Sequence, residues 1–510
     1  MEIIWSTVLT VWGWLLDHLL YINLAFSIII IFFQRRDPRS VWTWLLALYF
    51  IPVFGIVFYL LFGQDMKKSR MFRVKEVSDR LNLPVKSQED IIRSDDMPEE
   101  MMDPMSRDFK SLIIYNLETS GSVLTVNNQV QIYTDGQAKF EALRNALRQA
   151  RRFIHIQYYI IKNDELFDSI VPILLDKVRE GVEVRILCDG MGGRFMPKKR
   201  WDQMRRAGIK VGVFFPPFLG WLNLRVNYRN HRKIVVVDGA AGFVGGFNIG
   251  REYISRDPKF GYWRDTHLEI KGEAAISLQI RFALDWNYVT GENLFKEIRY
   301  FGEEAEYARR RLKGQIHAVW PDPDHVNEMV CMQIITSGPD TREPHIRNNY
   351  LELFHKAKHH IYIQTPYFIP DDAIFSSLKI AALSGVDVRL MIPCKPDHPF
   401  VYWATCSYAG ELLDYGARVY VYENGFLHSK GIMVDGRVSC YGTANMDIRS
   451  FELNFEVNAT IYDEDVTGQL EEAFMNDLPH CREITREEYG DRNLWMRIKE
   501  QSSRLLSPLL

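Results

Sequence analysis

From residue 109 onward the chain alternates short apolar runs rich in β-branched residues with longer stretches of helical spacing. ARRFIHIQYYI from Ala150, GVEVRIL from Gly181 and KIVVVD from Lys233 read as strands bounded by charges and glycines. The same succession returns as AKHHIYIQTPYFI from Ala357, GVDVRLMI from Gly385 and KGIMVD from Lys430. The first two pairs are offset by 207 and 204 residues, so order is kept with small deletions, and Gln157 and Gln364 fall at matching places. A repeated unit of strand, amphipathic helix, strand and a further strand predicts an α/β fold made of two homologous α/β sandwich halves, 109–325 and 326–485, rather than an all-α or all-β one. A tail, 486–510, carries Leu494, Trp495, Ile498, Leu505 and Leu506 at the spacing of an amphipathic helix, suited to an interface or to packing on the core.

The N-terminal residues follow another pattern. Val41–Phe62 is 22 residues without a charge, about 33 Å as a helix and long enough to cross a bilayer. Val11–Phe33 is nearly as apolar but holds Asp17 and His18. An aspartate at mid-membrane costs about 3 kcal/mol, which places Asp17 near an interface. Residues 1–62 therefore predict an N-terminal transmembrane helical hairpin, embedded in the cell membrane as a multi-pass segment. No Lys or Arg precedes Arg35, which argues against a cleaved signal peptide. Three arginines in the loop (Arg35, Arg36, Arg39) face five basic residues after the second span (Lys67, Lys68, Arg70, Arg73, Lys75), so the positive-inside rule puts the catalytic part in the cytoplasm. Residues 63–108 are charged and Met-rich and read as a linker.

Candidate chemistry lies on the repeat. His231, Lys233 and Asp238 recur as His428, Lys430 and Asp435, each set spaced His-x-Lys-(x)4-Asp, and each His is followed 17 positions later by an Asn, Asn248 or Asn445. Residues two apart share a strand face, so each His is expected beside its Lys, with Arg232 and Ser429 turned away. Each Asp is expected at the strand end, accepting a hydrogen bond from a His and fixing its tautomer. Two matched sets suggest one two-fold site whose imidazoles divide acid and base duties. The lysines and asparagines would supply donors to the oxygens of a phosphodiester without a metal. Asp265 and Glu456 are further acids that could orient a motif histidine.

This pattern resembles the phospholipase D superfamily over residues 110–485. With PFLGWLNLRVNYRNHRK (Pro217–Lys233), LLFGQ after the second apolar segment and the terminal RLLSPLL, the chain resembles the bacterial cardiolipin synthases of that superfamily. The resemblance implies two halves around a shared active site, and transfer of a phosphatidyl group from one phosphatidylglycerol to another, giving cardiolipin and glycerol through a phosphohistidine. It implies His231 as nucleophile and His428 as acid and base. The implied partners are phosphatidylglycerol and membrane phospholipids, with no cofactor and no metal. A hydrolase releasing phosphatidic acid would use the same groups with water as acceptor. A non-catalytic membrane scaffold is the reading from another class, and the two intact motifs argue against it.

Charge and cysteine usage narrow this further. Lys and Arg number 62 against 65 Asp and Glu, a net charge of −3. That balance lacks the basic excess of a nucleic-acid binder, so a nuclease and a nucleic-acid partner are not expected. Six cysteines without a C-x-x-C pair fit a reducing compartment and no zinc site. The apolar, proline-containing stretch Phe214–Leu222, with Phe218 and Trp221, is expected to meet lipid beside the first motif or to be buried between the halves.

Overall fold

The computed structural model describes residues 14, 17–33, 38–53, 55, 56, 59, 107–216, 228–301, 330–341, 343–505 and 507. Most of the expected linker and the loop residues Phe218 and Trp221 lie outside the described residues. The chain divides into two units, one of residues 1–74 with 218–227 and Leu509, the other of the remainder.

The larger unit is built twice. Its first half has strands β1 (Asn128–Asp135), β2 (Phe153–Tyr158), β3 (Glu183–Asp189), β4 (Lys210–Phe214), β5 (Ile234–Val237), β6 (Ala241–Gly245) and β7 (Trp263–Gly272). Helices α1 (Gly136–Gln149), α2 (Glu165–Arg179), α3 (Lys198–Arg206) and α4 (Glu273–Thr290) accompany them. The second half has β8 (Cys331–Ser337), β9 (His360–Gln364), β10 (Asp387–Pro393), β11 (Arg418–Tyr422), β12 (Gly431–Val434), β13 (Val438–Gly442) and β14 (Asn454–Tyr462), with α5 (His345–Lys356), α6 (Asp372–Leu383), α7 (Pro399–Leu413) and α8 (Glu464–Asp477). The sheet orders, β1-β7-β6-β5-β2-β3-β4 and β8-β14-β13-β12-β9-β10-β11, are the same. In each, the three strands joined through helices are parallel and the other neighbours antiparallel.

Strand alternation sorts the core into layers. In β5, Ile234 and Val236 enter a central core that also takes Leu278, Phe282 and Trp286 of α4 and Leu470 and Phe474 of α8. Val235 and Val237 face an outer core with α1, α2 and α3. In β12, Met433 is central, while Ile432 and Val434 meet α5, α6 and α7. The two sheets thus share one apolar interior.

Each motif is approached by a two-residue strand that crosses to the other half. Arg229–Asn230 pairs in parallel with the start of β14, and Phe426–Leu427 with the start of β7. At the far end of each motif strand an Asp-Gly pair turns the chain. Asp238 and Gly239 have φ of 56° and 74°, Asp435 and Gly436 56° and 67°, and the bonds Ala240 N–H to Val237 O and Arg437 N–H to Val434 O close both turns at 3.0 Å. Two successive positive φ values suit the twist of a tight hairpin, and glycine tolerates them without strain.

The expected N-terminal membrane hairpin is corrected by the structure. Among the described residues no helix is long and apolar enough to cross a membrane. The first expected span is a helix of 10 residues, Leu19–Ile28, running into a π-helical stretch, Ile29–Phe33. The second becomes Pro38–Phe50, 13 residues, which is about 20 Å against the roughly 30 Å of a hydrocarbon core. It is interrupted at Ile51, before Pro52, which has no N–H to donate and whose ring crowds the preceding turn, and helical residues resume at 52 and 53. The buried Asn23 Nδ2 donates to Leu48 O at 2.9 Å, tying the two short helices together. The transmembrane hairpin, the membrane-embedded state and the multi-pass placement with a cytoplasmic catalytic part are withdrawn with it.

The tail forms α9 (Leu494–Leu505), which packs on α7 with Glu500 and Ser503 buried. Arg504 reaches Glu411 of α7 at 2.6 Å.

Candidate active site

The crossing strands bring each motif histidine to the other half's longest strand. His231 N–H donates to Phe455 O at 2.9 Å, and His428 N–H to Arg264 O at 2.7 Å. Each imidazole then meets a carboxylate of that strand: Asp265 Oδ2 lies 2.6 Å from His428 Nδ1, and Glu456 Oε1 lies 3.1 Å from His231 Nδ1. The arrangement is reciprocal, with each half orienting the other's histidine.

Both carboxylates are fully buried, whereas the imidazoles keep 20% and 13% of their side-chain surface, for His231 and His428. The site therefore opens to solvent through the rings and is anchored from beneath. Asp265 Oδ1 accepts from Thr266 N–H at 2.8 Å and Trp263 Nε1–H donates to Oδ2 at 3.4 Å. Burial raises the Asp265 carboxyl, but Lys430 and His428 outweigh it and hold it below the usual range. An ionised carboxylate only accepts, so the proton between Asp265 and His428 is held on Nδ1. Glu456 Oε2 accepts from Thr443 Oγ1 at 2.6 Å. Asn454 Nδ2 lies 3.2 Å from His231 Nδ1 and 3.3 Å from Glu456 Oε1, bracing the pair. Tyr159 packs on His231 with ring centroids 4.2 Å apart, and Trp263 lies 5.0 Å from His428.

The lysines complete the cluster from residues just ahead of the motif strands. Lys233 Nζ donates to His231 O at 2.6 Å, and Lys430 Nζ to His428 O, while lying 2.9 Å from His428 Nδ1. Burial lowers Lys233 to about 8 and Lys430 to about 7, against the pull of Asp265 and Glu456 on both. Burial, aided by Lys430, likewise pushes His428 down to about 4, and burial lowers His231. Each lysine feels both carboxylates, so four charged groups from two halves form one electrostatic unit. A cluster with cations this poorly solvated favours an anionic ligand, whose charge restores the protons that burial withholds.

Arg232, between His231 and Lys233, turns away as expected. Its Nη1 meets both oxygens of Asp285 on α4 at 2.8 and 2.7 Å, and Nε and Nη2 donate to Glu456 O and Ser337 O at 3.1 and 3.2 Å. Gln157 also donates to Asp285, at 2.8 Å, while Gln364 donates to the corresponding Asp477 on α8 at 2.9 Å. These supports were not read from the sequence, although the matched glutamines were a signal for them. Ser429 meets Thr266, oxygen to oxygen, at 2.7 Å.

Other expected site residues go elsewhere. The Asp238 carboxylate accepts from the N–H groups of Arg151, Arg152 and Phe153 at 2.7, 2.7 and 2.8 Å. Asp435 does the same for Lys358, His359 and His360 at 2.7, 2.8 and 2.8 Å. Among the described residues no hydrogen bond joins either aspartate to a motif histidine. Asn248 is buried, accepting from Ile160 N–H and donating to Tyr253 Oη, both at 3.1 Å. Asn445 is also buried, and its Oδ1 has no hydrogen-bond partner among the described residues. No group of three or more His, Cys, Asp or Glu among the described residues is arranged to hold a metal ion.

A repeated α/β half that lends its carboxylate to the other half's histidine defines a two-fold phospholipase D-like enzyme. The family described as cardiolipin synthase, PLD-like domain, matches the chain twice, over 143–266 and 350–478, once in each half. A phospholipase D-nuclease N-terminal family matches 22–64. Cardiolipin synthase 2 of Staphylococcus epidermidis is 47% identical over 491 residues, 96% of both chains. The major cardiolipin synthase of Bacillus subtilis is 45% identical over 502 residues, 97% of this chain and 99% of that one. The crystal structure of phosphatidylserine synthase from Haemophilus influenzae shares the fold, with a TM-score of 0.58 at 15% identity over 80% of this chain and 100% of that one. The chain belongs to the bacterial cardiolipin synthases of the phospholipase D superfamily, and is an enzyme, a phosphatidyltransferase.

Proposed function

We propose that the enzyme joins two phosphatidylglycerol molecules into cardiolipin and glycerol through a phosphatidyl-histidine. The observation that carries this reading is the reciprocal pairing of two histidines with two carboxylates around two buried lysines. Lys233 and Lys430 neutralise the non-bridging oxygens of the donor phosphodiester, where attack concentrates charge. His231 Nε2 attacks phosphorus, and the P–O bond to the donor's glycerol breaks. His428 delivers its proton to the departing oxygen, the imidazolium having been held by Asp265. The 2.6 Å contact to Asp265 fixes the His428 ring, and the assignment of His428 as acid and base follows the family resemblance. The primary hydroxyl of a second phosphatidylglycerol then gives its proton to His428 and forms the new P–O bond as the P–N bond breaks. Asn248 braces Ile160 and Tyr253, and Asp238 and Asp435 hold the motif strands from behind.

Exchange of one primary alcohol for another is near-balanced, so the reaction runs both ways. Purified enzyme given phosphatidylglycerol vesicles should release one glycerol per cardiolipin, and added glycerol should return cardiolipin to phosphatidylglycerol. Phosphatidic acid as the main product, even at high surface density of phosphatidylglycerol, means water is the acceptor and the reading fails.

A further inference from the structure

The motif histidines stand just ahead of β5 and β12, which run antiparallel to β2 and β9, and these in turn run parallel to β3 and β10. The loops that follow β3 and β10 therefore emerge at the end of the sheets where the histidines stand, the end at which such sheets take ligands. Each loop puts a phenylalanine into solvent. Phe195 closes the turn Gly192–Phe195 and is 43% exposed, and Phe400, in the first turn of α7, is 58% exposed. Phe195 lies six positions past Asp189, the last residue of β3, and Phe400 seven past Pro393, the last of β10. The repeat thus sets one exposed ring on each half.

Both loops are tied to the site. Asp189 accepts from Met191 N–H at 2.8 Å and from the N–H of Asn230, the neighbour of His231, at 2.9 Å. Gly192 backs onto Tyr159, which packs on His231, so closely that a Cβ there would lie 1.8 Å from the Tyr159 carbonyl oxygen. In the other half Phe368 N–H donates to Thr405 of α7 at 3.0 Å, and Phe368 pairs with Met446, the neighbour of Asn445. The apolar surface continues onto α9. Lys499 Nζ lies 5.1 Å from the centre of the Trp403 ring, and Arg504 Cζ 4.3 Å from that of Tyr408. From the first contact to the second, both helices advance five residues, so α9 runs beside α7 in the same direction. Leu494 and Trp495, 72% and 73% exposed, are thereby brought to the Phe400 end.

Charge follows the same pattern. Arg194, Lys198, Lys199 and Lys395 are exposed in or beside the two loops and form no ion pair among the described residues. The acid between Lys395 and Phe400, Asp397, accepts from Tyr367 Oη and, at 2.7 Å, from His398 N–H. At the other end of this helix layer, near the exposed Leu383 and Leu505, the cations Lys379 and Arg504 are both taken by Glu411 at 2.6 Å. Exposed rings and aliphatic chains flanked by unpaired cations suit the surface of an anionic bilayer, with the apolar groups at headgroup depth and the cations among the phosphates.

We propose that Phe195 on one half, and Phe400 with Leu494 and Trp495 on the other, dock the mouth of the site on the surface of an anionic phospholipid bilayer. The proposal rests on the transfer reaction given under Proposed function, and names the surface by which the catalytic unit itself meets its lipids, peripherally and without a spanning helix. A diacyl lipid drawn wholly into water exposes its chains, at a cost that grows with every methylene. A site that takes two such lipids therefore works at the bilayer surface with the chains left in place. An anchor on each half keeps both sides of the cleft at that surface. A second copy of the chain is a poorer occupant, because a two-fold contact would set these cations against one another.

The test compares two forms of one substrate. Full-length enzyme is assayed on phosphatidylglycerol vesicles and on dibutanoyl phosphatidylglycerol below its critical micelle concentration, which is monomeric and needs no docking. Two double variants remove apolar groups: Phe195→Ser with Phe400→Ser, and Phe400→Ser with Trp495→Ser. In each, the vesicle lipid concentration giving half-maximal rate should rise about tenfold or more, while the rate on the monomeric lipid stays within about twofold of wild type. Phe195→Trp with Phe400→Trp should keep the wild-type value. Lys198→Glu with Lys199→Glu should raise it on phosphatidylglycerol vesicles at low salt, and less at high salt. Wild-type vesicle kinetics in the serine variants overturn the docking surface. Equal loss on vesicles and on monomers marks a packing role and overturns it as well. A change of oligomeric state in light scattering, with vesicle kinetics unchanged, assigns the face to a second copy and likewise overturns it. Wild-type enzyme that converts both substrates only to phosphatidic acid overturns the transferase reading, while the vesicle and monomer rates still decide the docking surface.

Discussion

Burial is the feature of the individual residues with the most direct functional consequence. An ordinary lysine keeps its proton far above neutral pH, yet Lys430 and Lys233 are lowered to about 7 and about 8 because water is excluded from them. Below these values both carry the charge that a phosphodiester needs; above them the free enzyme loses first Lys430 and then Lys233. Since kcat/KM reports the free enzyme, its profile against pH should therefore fall more steeply in that interval than loss of the His428 proton, at about 4, gives alone. Lys430→Arg should lower kcat/KM but move the steeper fall upward, because a guanidinium stays protonated. A wild-type profile without the steeper fall across roughly pH 6–9 would remove the lysines from the anion site. The carboxylates give a second expectation. Asp265→Asn keeps the shape of the side chain but cannot stabilise an imidazolium at His428, and kcat should fall about 100-fold or more with unchanged circular dichroism. Retention of half the activity would show that Asp265 only packs there.

At the scale of elements, Asp238 and Asp435 illustrate how a motif residue can serve chemistry without touching it. Each opens a hairpin turn in the left-handed region and gathers three backbone N–H groups from the start of β2 or β9, aligning the motif strand with its neighbour. Asp238→Ala loses that acceptor and strains the turn, costing about 2 kcal/mol. The variant should melt several degrees lower, while kcat per folded molecule stays within about threefold. A collapse of kcat without a stability change would mean that the aspartate reaches the chemistry. The repeat of strands was legible in the sequence because a period of two and an Asp-Gly turn are local signals. So were Asp265 and Glu456, as acids downstream of each histidine. Their exchange between halves was not legible, because it depends on where Arg229–Asn230 and Phe426–Leu427 cross, and two residues carry no periodicity. The N-terminal reading failed for a related reason: hydropathy counts apolar residues, whereas Pro52 and the π-helical turn at Ile29–Phe33 decide where a helix can continue.

At the scale of the whole molecule, the two-fold arrangement raises the question of which histidine bonds to phosphorus. The halves supply equivalent imidazoles, but the carboxylate contact is shorter at His428. If His231 is the nucleophile, His428 is needed twice: once to protonate the departing glycerol and once to deprotonate the incoming hydroxyl. A phosphatidyl donor with a nitrophenol leaving group bypasses the first need, because nitrophenolate departs without a proton. With that donor, the His428→Ala enzyme should form the phosphatidyl-enzyme and stall, releasing one equivalent of nitrophenolate and retaining an acid-labile, base-stable adduct on the peptide containing His231. The His231→Ala enzyme should show neither burst nor adduct. With phosphatidylglycerol as donor both variants should lose nearly all activity, and the double variant should lose little more, since the histidines act as one unit. An adduct on His428 in the His231→Ala enzyme would reverse the roles of the two halves. An adduct on a serine, aspartate or cysteine would overturn the histidine mechanism.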